Sequence, residues 1–457
     1  MANSNKYEME LYTGSLIKKM LVFAFPLMVT GILQLLYNAA DLIVVGRFAG
    51  SEALAAVGAT GSLTGLMVNF FMGISVGASV CVSRAYGAGD LKELSKAVHT
   101  SITVSLVAGI FLAILGNIAC RPLLRLMGTP DDVIDGASLY MHILFSGMPA
   151  NMVYNFGAAI LRAVGDTKRP LYFLTIAGIC NVLLNLFCVI VLNMSVEGVA
   201  IATVASQVIS MILVIRCLCV SGGSVRLDFK RLRIHKEPML EILKMGLPAG
   251  LQSSLFAISN VLIQSSVNSF GSIVMAGNAA AGNLEGFVYT GMNAIYQADI
   301  TFASQNRGAK QYGRMRKVLW ISMMLVSIIG IVMGMTFYLC AEPLVSLYNT
   351  DPEVIKYGVF RMGYLCAPYF ICGVMDVMVG QLRGIGCSVV PMFVSLAGVC
   401  AFRVLWVLTV FAANPTLHIL YISYPISWAM TGLIHFICYR FFVRKFPKHD
   451  EPLPAAV

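Results

Sequence analysis

Twelve runs of mostly apolar residues follow one another along the chain, each about 20 residues long or longer. As a helix, such a run crosses about 30 Å of hydrocarbon, and in lipid only helices and closed barrels satisfy every backbone polar group. The runs are too long for barrel strands, so they predict an all-α polytopic membrane protein. The predicted transmembrane helices are 16–45, 53–80, 96–120, 136–161, 168–193, 195–220, 239–270, 277–303, 317–341, 354–381, 388–412 and 416–443.

Composition and charge agree with this class. Only 12% of the residues are charged, against about a quarter in soluble domains. With the N-terminus inside, all but six of the 32 Lys and Arg residues fall on the cytoplasmic side, as the positive-inside rule requires. We therefore predict a multi-pass protein of the plasma (cytoplasmic) membrane with both termini cytoplasmic and no signal peptide. The net charge of +10 reflects these loops and gives no support for nucleic-acid binding.

The two halves of the chain repeat one pattern. LRAVGDTKRP at 161–170 matches LRGIGCSVVP at 382–391, and Pro26 matches Pro248 at a shift of 222. A tandem pair of six-helix units enters the membrane in one direction, so we predict two lobes related by a pseudo-two-fold axis along the membrane normal. The lobes are 1–220 and 239–457, joined by a basic cytoplasmic linker at 221–238. Duplication for stability alone is the alternative.

Polar residues recur at helical spacing inside the first lobe. Gln34, Asn38 and Asp41 share one face of the first span, while Asn181 and Asn185 lie one turn apart in the fifth. Asp41 is the acid of this set, and Thr203 of the sixth span adds a hydroxyl. A carboxylate in such surroundings binds a proton or Na⁺, because burial favours the neutral acid and Na⁺ prefers oxygen ligands. The alternative is a structural cap with Arg47 as counter-ion.

The second lobe also carries intramembrane acids. Glu285 and Asp376 lie inside predicted spans, where an acid suggests a functional site, although Arg403 could neutralise either one structurally. Pro26 interrupts the first span and permits a kink, whereas GxxxG at Gly73 indicates close helix packing. Two six-helix lobes around a central cleft are typical of a transporter, and we expect its substrate to contact aromatic, amide, methionine and acidic side chains. The candidates are Gln34, Tyr37, Asn38, Tyr154, Glu285, Tyr289, Met292 and Asp376, with Phe256 and Phe287 as further aromatic candidates.

Catalytic signatures are missing from the sequence. It contains no GxxxxGK[ST] loop, no metal-ligand spacing among its six His residues and no GxSxG turn. We therefore predict no enzyme and no cofactor, with H⁺ or Na⁺ as the coupling ion. Small organic molecules and the lipid bilayer are the expected partners, and the expected oligomeric state is a monomer.

FPLMVTGILQLLYNAADLIVVGRFAG (25–50), SRAYGAGD (83–90), AAILRAVGDTKRP (158–170) and QLRGIG (381–386) resemble bacterial multidrug and toxic compound extrusion (MATE) transporters. The resemblance covers all twelve predicted helices. It implies an antiporter that exports amphipathic, often cationic compounds in exchange for H⁺ or Na⁺, switching by alternating access as the helix bends at Pro26. The ion site it implies is Asp41, Asn181, Asn185 and Thr203, with possible Na⁺ binding there.

This sequence departs from the family pattern at two places. Many relatives carry a second carboxylate where this chain has Asn185, which mildly favours protons over Na⁺. Relatives with a second-lobe cation site have acids where this chain has Phe256 and Cys372. The alternative functions are a flippase for lipid-linked sugars and, from another class, a membrane-embedded enzyme or scaffold.

Overall fold

The computed structural model describes residues 7–49, 51–220 and 225–452, and these residues form helices joined by short connections. In chain order the α-helices are α1 (Leu16–Val44), α2 (Ser51–Gly87), α3 (Leu91–Leu126), α4 (Asp131–Ser146), α5 (Met148–Ala163), α6 (Lys168–Leu186), α7 (Val196–Val220), α8 (Lys236–Asn268), α9 (Ser272–Gly308), α10 (Tyr312–Leu339), α11 (Ala341–Ser346), α12 (Pro352–Leu365), α13 (Tyr369–Gly384), α14 (Val389–Ser395), α15 (Phe402–Trp406) and α16 (Leu417–Val443). Segments with π-helical winding extend or connect some of them: Val45–Ala49, Phe187–Val191, Leu396–Ala401 and Val407–Phe411.

Each predicted span corresponds to one helix or to a broken run of helices, so the predicted all-α membrane fold is confirmed. Nine helices among the described residues are long and apolar enough to cross a membrane, and the bent pair α12–α13 makes a tenth. The two further spans are α4–α5, which is broken, and α9. The latter has 37 residues but carries many Asn, Gln and acidic side chains.

Two predicted spans are not continuous. The span predicted at 136–161 divides at Gly147, which ends α4 and precedes α5 with Pro149 in its first turn. The span predicted at 354–381 bends by 47° between α12 and α13, next to Pro368. Proline supplies no backbone N–H to the preceding turn, so a helix that reaches it breaks or bends.

The predicted linker is partly ordered. Residues 221–224 of the linker and 1–6 of the polar N-terminus lie outside the described residues. Beyond the gap, the Asp228 backbone N–H donates to His99 Nε2 at 3.1 Å, and the His235 N–H donates to Thr100 Oγ1 at 3.1 Å. The second part of the linker therefore packs on α3.

The chain forms two compact units. Unit 1 contains Val29–Gly250, and unit 2 contains Leu11–Met28 together with Leu251–Pro454. The predicted lobes follow the sequence repeat, whereas these units follow side-chain packing. The difference lies in two helix beginnings: 16–28 of α1 pack in unit 2, and 236–250 of α8 pack in unit 1.

Close backbone contacts explain why the beginning of α8 belongs to unit 1. A Cβ atom added to Gly73 would lie 2.3 Å from Gly250, and one added to Gly77 would lie 2.2 Å from the Ile242 carbonyl oxygen. Gly246 in turn lies against Ile74. The GxxxG pair of α2 therefore serves helix packing, as the sequence indicates.

Side-chain contacts hold the beginning of α1 in unit 2. The Phe23 ring meets the Phe302 ring edge-on with centroids 5.8 Å apart, and Ser322 Oγ donates to Met20 Sδ at 3.5 Å. Before the helix, the Leu11 backbone N–H donates to Gln305 Oε1 at 2.9 Å. At the sequence shift of 222, this segment of α1 corresponds to 238–250 of α8, which packs in unit 1.

The repeated LRxxG motif ends a helix in both units. Gly165 and Gly386 have φ values of +93° and +86°, a conformation that favours glycine. In the first copy the buried Asp166 carboxylate accepts backbone hydrogen bonds from Lys168 and Arg169 and forms an ion pair with Arg169. Burial raises the pKa of Asp166, although these hydrogen bonds oppose the shift. The motif is a helix connection.

Candidate functional site

The Asp41 carboxylate lies in unit 1, three residues before α1 ends at Val44 and passes into π-helical winding. Asn185 Nδ2 of α6 donates to Asp41 Oδ1 at 2.5 Å. The Asn185 side chain is 0% exposed, and π-helical winding begins two residues after it. Both partners therefore stand next to local widenings of their helices, a feature that is frequent at functional sites.

A chain of amide hydrogen bonds extends from this contact to α7. Asn185 Nδ2 also lies 3.4 Å from Asn181 Oδ1, and Asn181 Nδ2 donates to Thr203 Oγ1 at 3.5 Å. The Thr203 hydroxyl donates to the Val199 carbonyl oxygen at 2.9 Å. The structure thus brings together the four residues predicted as an ion site, and Asp41 is the acceptor at the end of the chain.

Asp41 has no cationic partner among the described residues. Arg47, the predicted alternative counter-ion, forms no ion pair with it, and Asn185 supplies its hydrogen bond. The carboxylate does not cap a helix either, because its donor is a side-chain amide. These contacts do not support the structural-cap interpretation.

A small polar cavity surrounds the carboxylate. Its volume is about 140 Å³, which is room for an ion and a few waters at roughly 30 Å³ each. Sites for drug-sized molecules have about 300–1,000 Å³. The lining includes Gln34, Tyr37, Asn38, Asn151, Tyr154, Asn155, Asn181, Thr203 and Gln207.

Four predicted substrate-contacting residues lie in the wall of this same cavity. Gln34 Nε2 donates to Asn38 Oδ1 at 3.3 Å, so these two amides pair along α1. The hydroxyls of Tyr37 and Tyr154 each donate to a backbone carbonyl of α6 at 3.4 Å. In the described structure these side chains shape the surroundings of Asp41.

In unit 2, Glu285 is buried in an ion pair. Arg361 donates through Nε and Nη2 to the two Glu285 carboxylate oxygens at 2.8 and 2.7 Å, and through Nη1 to Asn278 Oδ1 at 2.5 Å. The Tyr421 hydroxyl also donates to Asn278 Oδ1, at 3.1 Å. The sequence suggested Arg403 as the neutralising residue, but the partner of Glu285 is Arg361 of α12.

Arg403 makes other contacts. Its Nε donates to Ser427 Oγ at 2.9 Å, and its guanidinium lies 4.1 Å from the centre of the Tyr424 ring. The acid Asp376 lies beside Tyr289, which is 38% exposed. These two candidates are close together, whereas Arg403 is held by a hydroxyl and aromatic rings.

Three further positions of unit 2 lie in apolar packing. Met292 is 1% exposed, and its Sδ would lie 2.8 Å from a Cβ added to Gly373, so it fills a helix contact. Phe256 and Cys372, at the positions where relatives carry acids, both belong to one apolar cluster. The described structure thus has hydrophobic packing at those positions.

One acid was missed at the sequence level. Asp299 of α9 is 0% exposed, and neither carboxylate oxygen has a hydrogen-bond partner among the described residues. Its position inside the predicted span 277–303 was a sufficient signal, because an acid within a transmembrane helix suggests function by default. The described residues contain no cluster of three or more His, Cys, Asp or Glu that could hold a metal.

Curated proteins with similar sequences include probable multidrug resistance proteins and a transporter. The chain is 28% identical over 439 residues to the probable multidrug resistance protein YoeA of Bacillus subtilis (strain 168), covering 94% of each chain. It is 25% identical to the FAD transporter of Shewanella oneidensis, over 77% of this chain and 79% of the relative. It is 22% identical to the probable multidrug resistance protein NorM of Thermotoga maritima, over 84% of each.

Solved structures show the same fold. A multidrug resistance MATE family transporter of the MOP superfamily in its outward-facing conformation superimposes with a TM-score of 0.90 at 21% identity, covering 97% of this chain and 99% of that one. A MOP superfamily transporter from Pyrococcus furiosus gives 0.89 with the same identity and coverage.

The family model named MatE matches the chain twice, at residues 26–187 and 248–409. Both ends of the match are displaced by 222 residues, which confirms the duplication seen in the sequence. Because the two matches cover most of the chain, this integral membrane protein belongs to the MatE family.

Proposed function

We propose that this protein is a secondary active antiporter that exports amphipathic, often cationic organic compounds in exchange for protons, with Asp41 as the coupling carboxylate. The observation that supports this best is the Asp41 side chain itself. It lies in a polar cavity of unit 1, has one amide donor and has no cationic partner among the described residues. A carboxylate left without a counter-ion in a membrane helix is available to take up a proton.

Proton coupling fits the donor set better than Na⁺ coupling does. Na⁺ prefers oxygen ligands, but Asn185 directs its N–H group to Asp41. The cavity contains one acid, so a bound Na⁺ would have only neutral amide and hydroxyl oxygens besides Asp41. A proton needs only one carboxylate oxygen. Na⁺ coupling is the alternative that the experiment below separates.

The Asn185 hydrogen bond links the protonation of Asp41 to helix packing. A hydrogen bond to an ionised carboxylate is about twice as strong as one between neutral groups. When Asp41 takes up a proton, the contact between α1 and α6 therefore weakens. A protonation step that changes how α1 is held supplies the two states that alternating access requires.

The proposed substrate class comes from the relatives and from charge. Two of the curated relatives named above are probable multidrug resistance proteins, and one is an FAD transporter. The names of the multidrug relatives favour cationic compounds, and the acids of the membrane helices, Asp41, Asp299 and Asp376, suit a cation better than the pyrophosphate of FAD or of lipid-linked sugars.

Purified protein in liposomes tests the proposal. Ethidium efflux would be recorded under a pH gradient alone, under a Na⁺ gradient alone and without a gradient, with FAD as the anionic comparison substrate. We expect ethidium efflux driven by the pH gradient and no movement of FAD. Efflux driven only by Na⁺ would contradict proton coupling, and transport of FAD without ethidium would contradict the substrate class.

A further inference from the structure

Asp299 is a fully buried acid of unit 2. It lies in the last three turns of α9, is 0% exposed, and both of its carboxylate oxygens lack hydrogen-bond partners among the described residues. The mechanism proposed above does not use it, because Asp41 belongs to unit 1 and Asp299 to unit 2.

Helices of unit 2 enclose this carboxyl group on several sides. A Cβ added to Gly380 of α13 would lie 3.2 Å from Asp299 Oδ2. Ser322 of α10 lies beside the carboxyl group, and its hydroxyl donates to Met20 Sδ of α1. Phe23, one turn after Met20, packs on Phe302 of α9. The first part of α1 thus packs on the helices that hold Asp299.

The arginines near Asp299 already bind other partners, and the neighbouring phenol groups are neutral. Arg383 of α13 bonds to the Tyr296 hydroxyl and donates to Gln252 Oε1 at 2.9 Å, and it forms no ion pair with Asp299. On α10, Arg316 donates to carbonyl groups of the C-terminal segment. From α1 the neighbour is the uncharged Met20. The other titratable groups around Asp299 are Tyr296 of α9 and Tyr439 of α16.

An ionised carboxylate in this place would be fully buried with no cationic partner among the described residues, and the neighbouring Ser322 hydroxyl donates to Met20 Sδ instead. Burying a charge without a partner is among the most unfavourable changes in a protein interior, and such a group becomes neutral instead. A neutral carboxylic acid requires one bound proton and no counter-ion.

We propose that Asp299 is a second proton-binding site of this protein, and that its proton holds the first part of α1, residues 16–28, packed on unit 2. Loss of the proton creates a charge that needs water. Water reaches the carboxylate when the covering segment with Met20 and Phe23 moves away. By linkage, displacement of that segment favours release of the proton, and rebinding of the proton favours its return.

The other unit supplies an internal control. The repeat shift is 221 residues in this region, because Ser83 donates to the Ala163 carbonyl in one copy and Ser304 to the Gly384 carbonyl in the other. The position equivalent to Asp299 is therefore Ala78. The segment equivalent to 16–28 is 238–250 of α8, at the shift of 222 that relates Pro26 to Pro248. That segment packs on Gly73 and Gly77, and its own acid, Glu241, is paired with Arg84 and does not correspond to Asp299. Its packing should therefore not depend on the protonation of an acid at this position.

Infrared spectroscopy of the full-length protein in lipid nanodiscs tests the protonation directly. A protonated carboxyl group gives a C=O stretching band distinct from that of a carboxylate. At neutral pH we expect such a band in the wild type, its loss in Asp299→Asn, and its retention in Asp41→Asn and Asp376→Asn. Asp299→Glu should shift the band, which keeps the test valid if the Asn variant folds poorly. An unchanged carboxyl region in Asp299→Asn, or removal of its band by added Na⁺, would overturn the proposal.

Hydrogen exchange tests the link to α1. Wild type and Asp299→Asn are compared at the same pH, so that the chemical exchange rate cancels. We expect residues 16–28 of the wild type to lose protection several-fold relative to the variant as pH rises, while 238–250 show no difference. If the ratio of wild-type to variant exchange rates for residues 16–28 does not change with pH, the coupling is contradicted. Neither measurement depends on transport, so its outcome is independent of the role proposed for Asp41.

Discussion

Asn185 donates its side-chain amide to Asp41 at 2.5 Å and is itself fully buried, so a residue of α6 fixes the acid of α1. Asn181 supports this amide from one turn away, at 3.4 Å. The ionised form of Asp41 gains more from this contact than the protonated form does. The proton affinity of the site therefore depends on Asn185.

Replacing Asn185 should change the pH dependence of transport. A hydrogen bond to a charged group contributes about 1.5–3 kcal/mol, and one pH unit corresponds to about 1.4 kcal/mol. In Asn185→Ala we expect the pH of half-maximal ethidium efflux to rise by about one unit or more. Asn155→Ala is the matched control, because Asn155 lines the cavity but bonds to Asn151. Equal shifts in both variants would argue against a specific role for Asn185.

The buried pair of Glu285 and Arg361 should be structural. Removing one partner of a buried ion pair typically costs about 3–5 kcal/mol, so Glu285→Gln should lower the thermal unfolding midpoint strongly. The double variant Glu285→Gln with Arg361→Met should recover part of the loss, because no unpaired charge remains. Unfolding of the purified proteins measures both effects. A Glu285→Gln protein of normal stability that no longer transports would show instead that Glu285 acts in transport.

The glycines of α2 provide a test of helix packing in unit 1. An added Cβ at Gly77 would lie 2.2 Å from the Ile242 carbonyl oxygen, whereas Gly65 of the same helix has no atom within 4 Å. Overpacking costs about 1–3 kcal/mol, so Gly77→Ala should destabilise the protein by that amount. Gly65→Ala should be neutral or stabilising by up to about 1 kcal/mol, since alanine is the better helix former. Similar unfolding midpoints for the two variants would contradict the packing described here.

Pro26 lies inside α1, just before the helix passes from unit 2 to unit 1 after Met28. Proline removes one backbone hydrogen bond of the helix and eases bending. Pro26→Ala restores the donor and should reduce efflux several-fold by stiffening α1, with little loss of stability. Pro122→Ala is the comparison, because Pro122 also lies inside a helix, α3. Unchanged efflux in Pro26→Ala would remove Pro26 from the switching mechanism.

The sequence predicts the helices well because the length and apolarity of each run are local properties. The sequence also predicts one ion site from Asp41, Asn181, Asn185 and Thr203. In the structure, hydrogen bonds connect these four residues. The helix breaks at Gly147 and Pro368 had local signals, because proline stands at or next to each break. A prediction based on hydrophobicity alone does not detect them.

Other features depend on tertiary packing that no local pattern contains. Nothing in the sequence indicates that Arg361 rather than Arg403 reaches Glu285, because the two arginines lie on different helices. The beginning of α1 could pack with either half by its apolarity alone. Contacts such as Phe23 with Phe302 place it in unit 2.

Proton movement driven by substrate tests the role of Asp41 most directly. Ethidium would be added to proteoliposomes containing a pH-sensitive dye, with wild type, Asp41→Glu and Asp41→Asn reconstituted at equal amounts and checked for folding. We predict proton counter-movement with the wild type, a reduced response with Asp41→Glu and none with Asp41→Asn. If Asp41→Asn moves as many protons per ethidium as the wild type, Asp41 is not the coupling carboxylate.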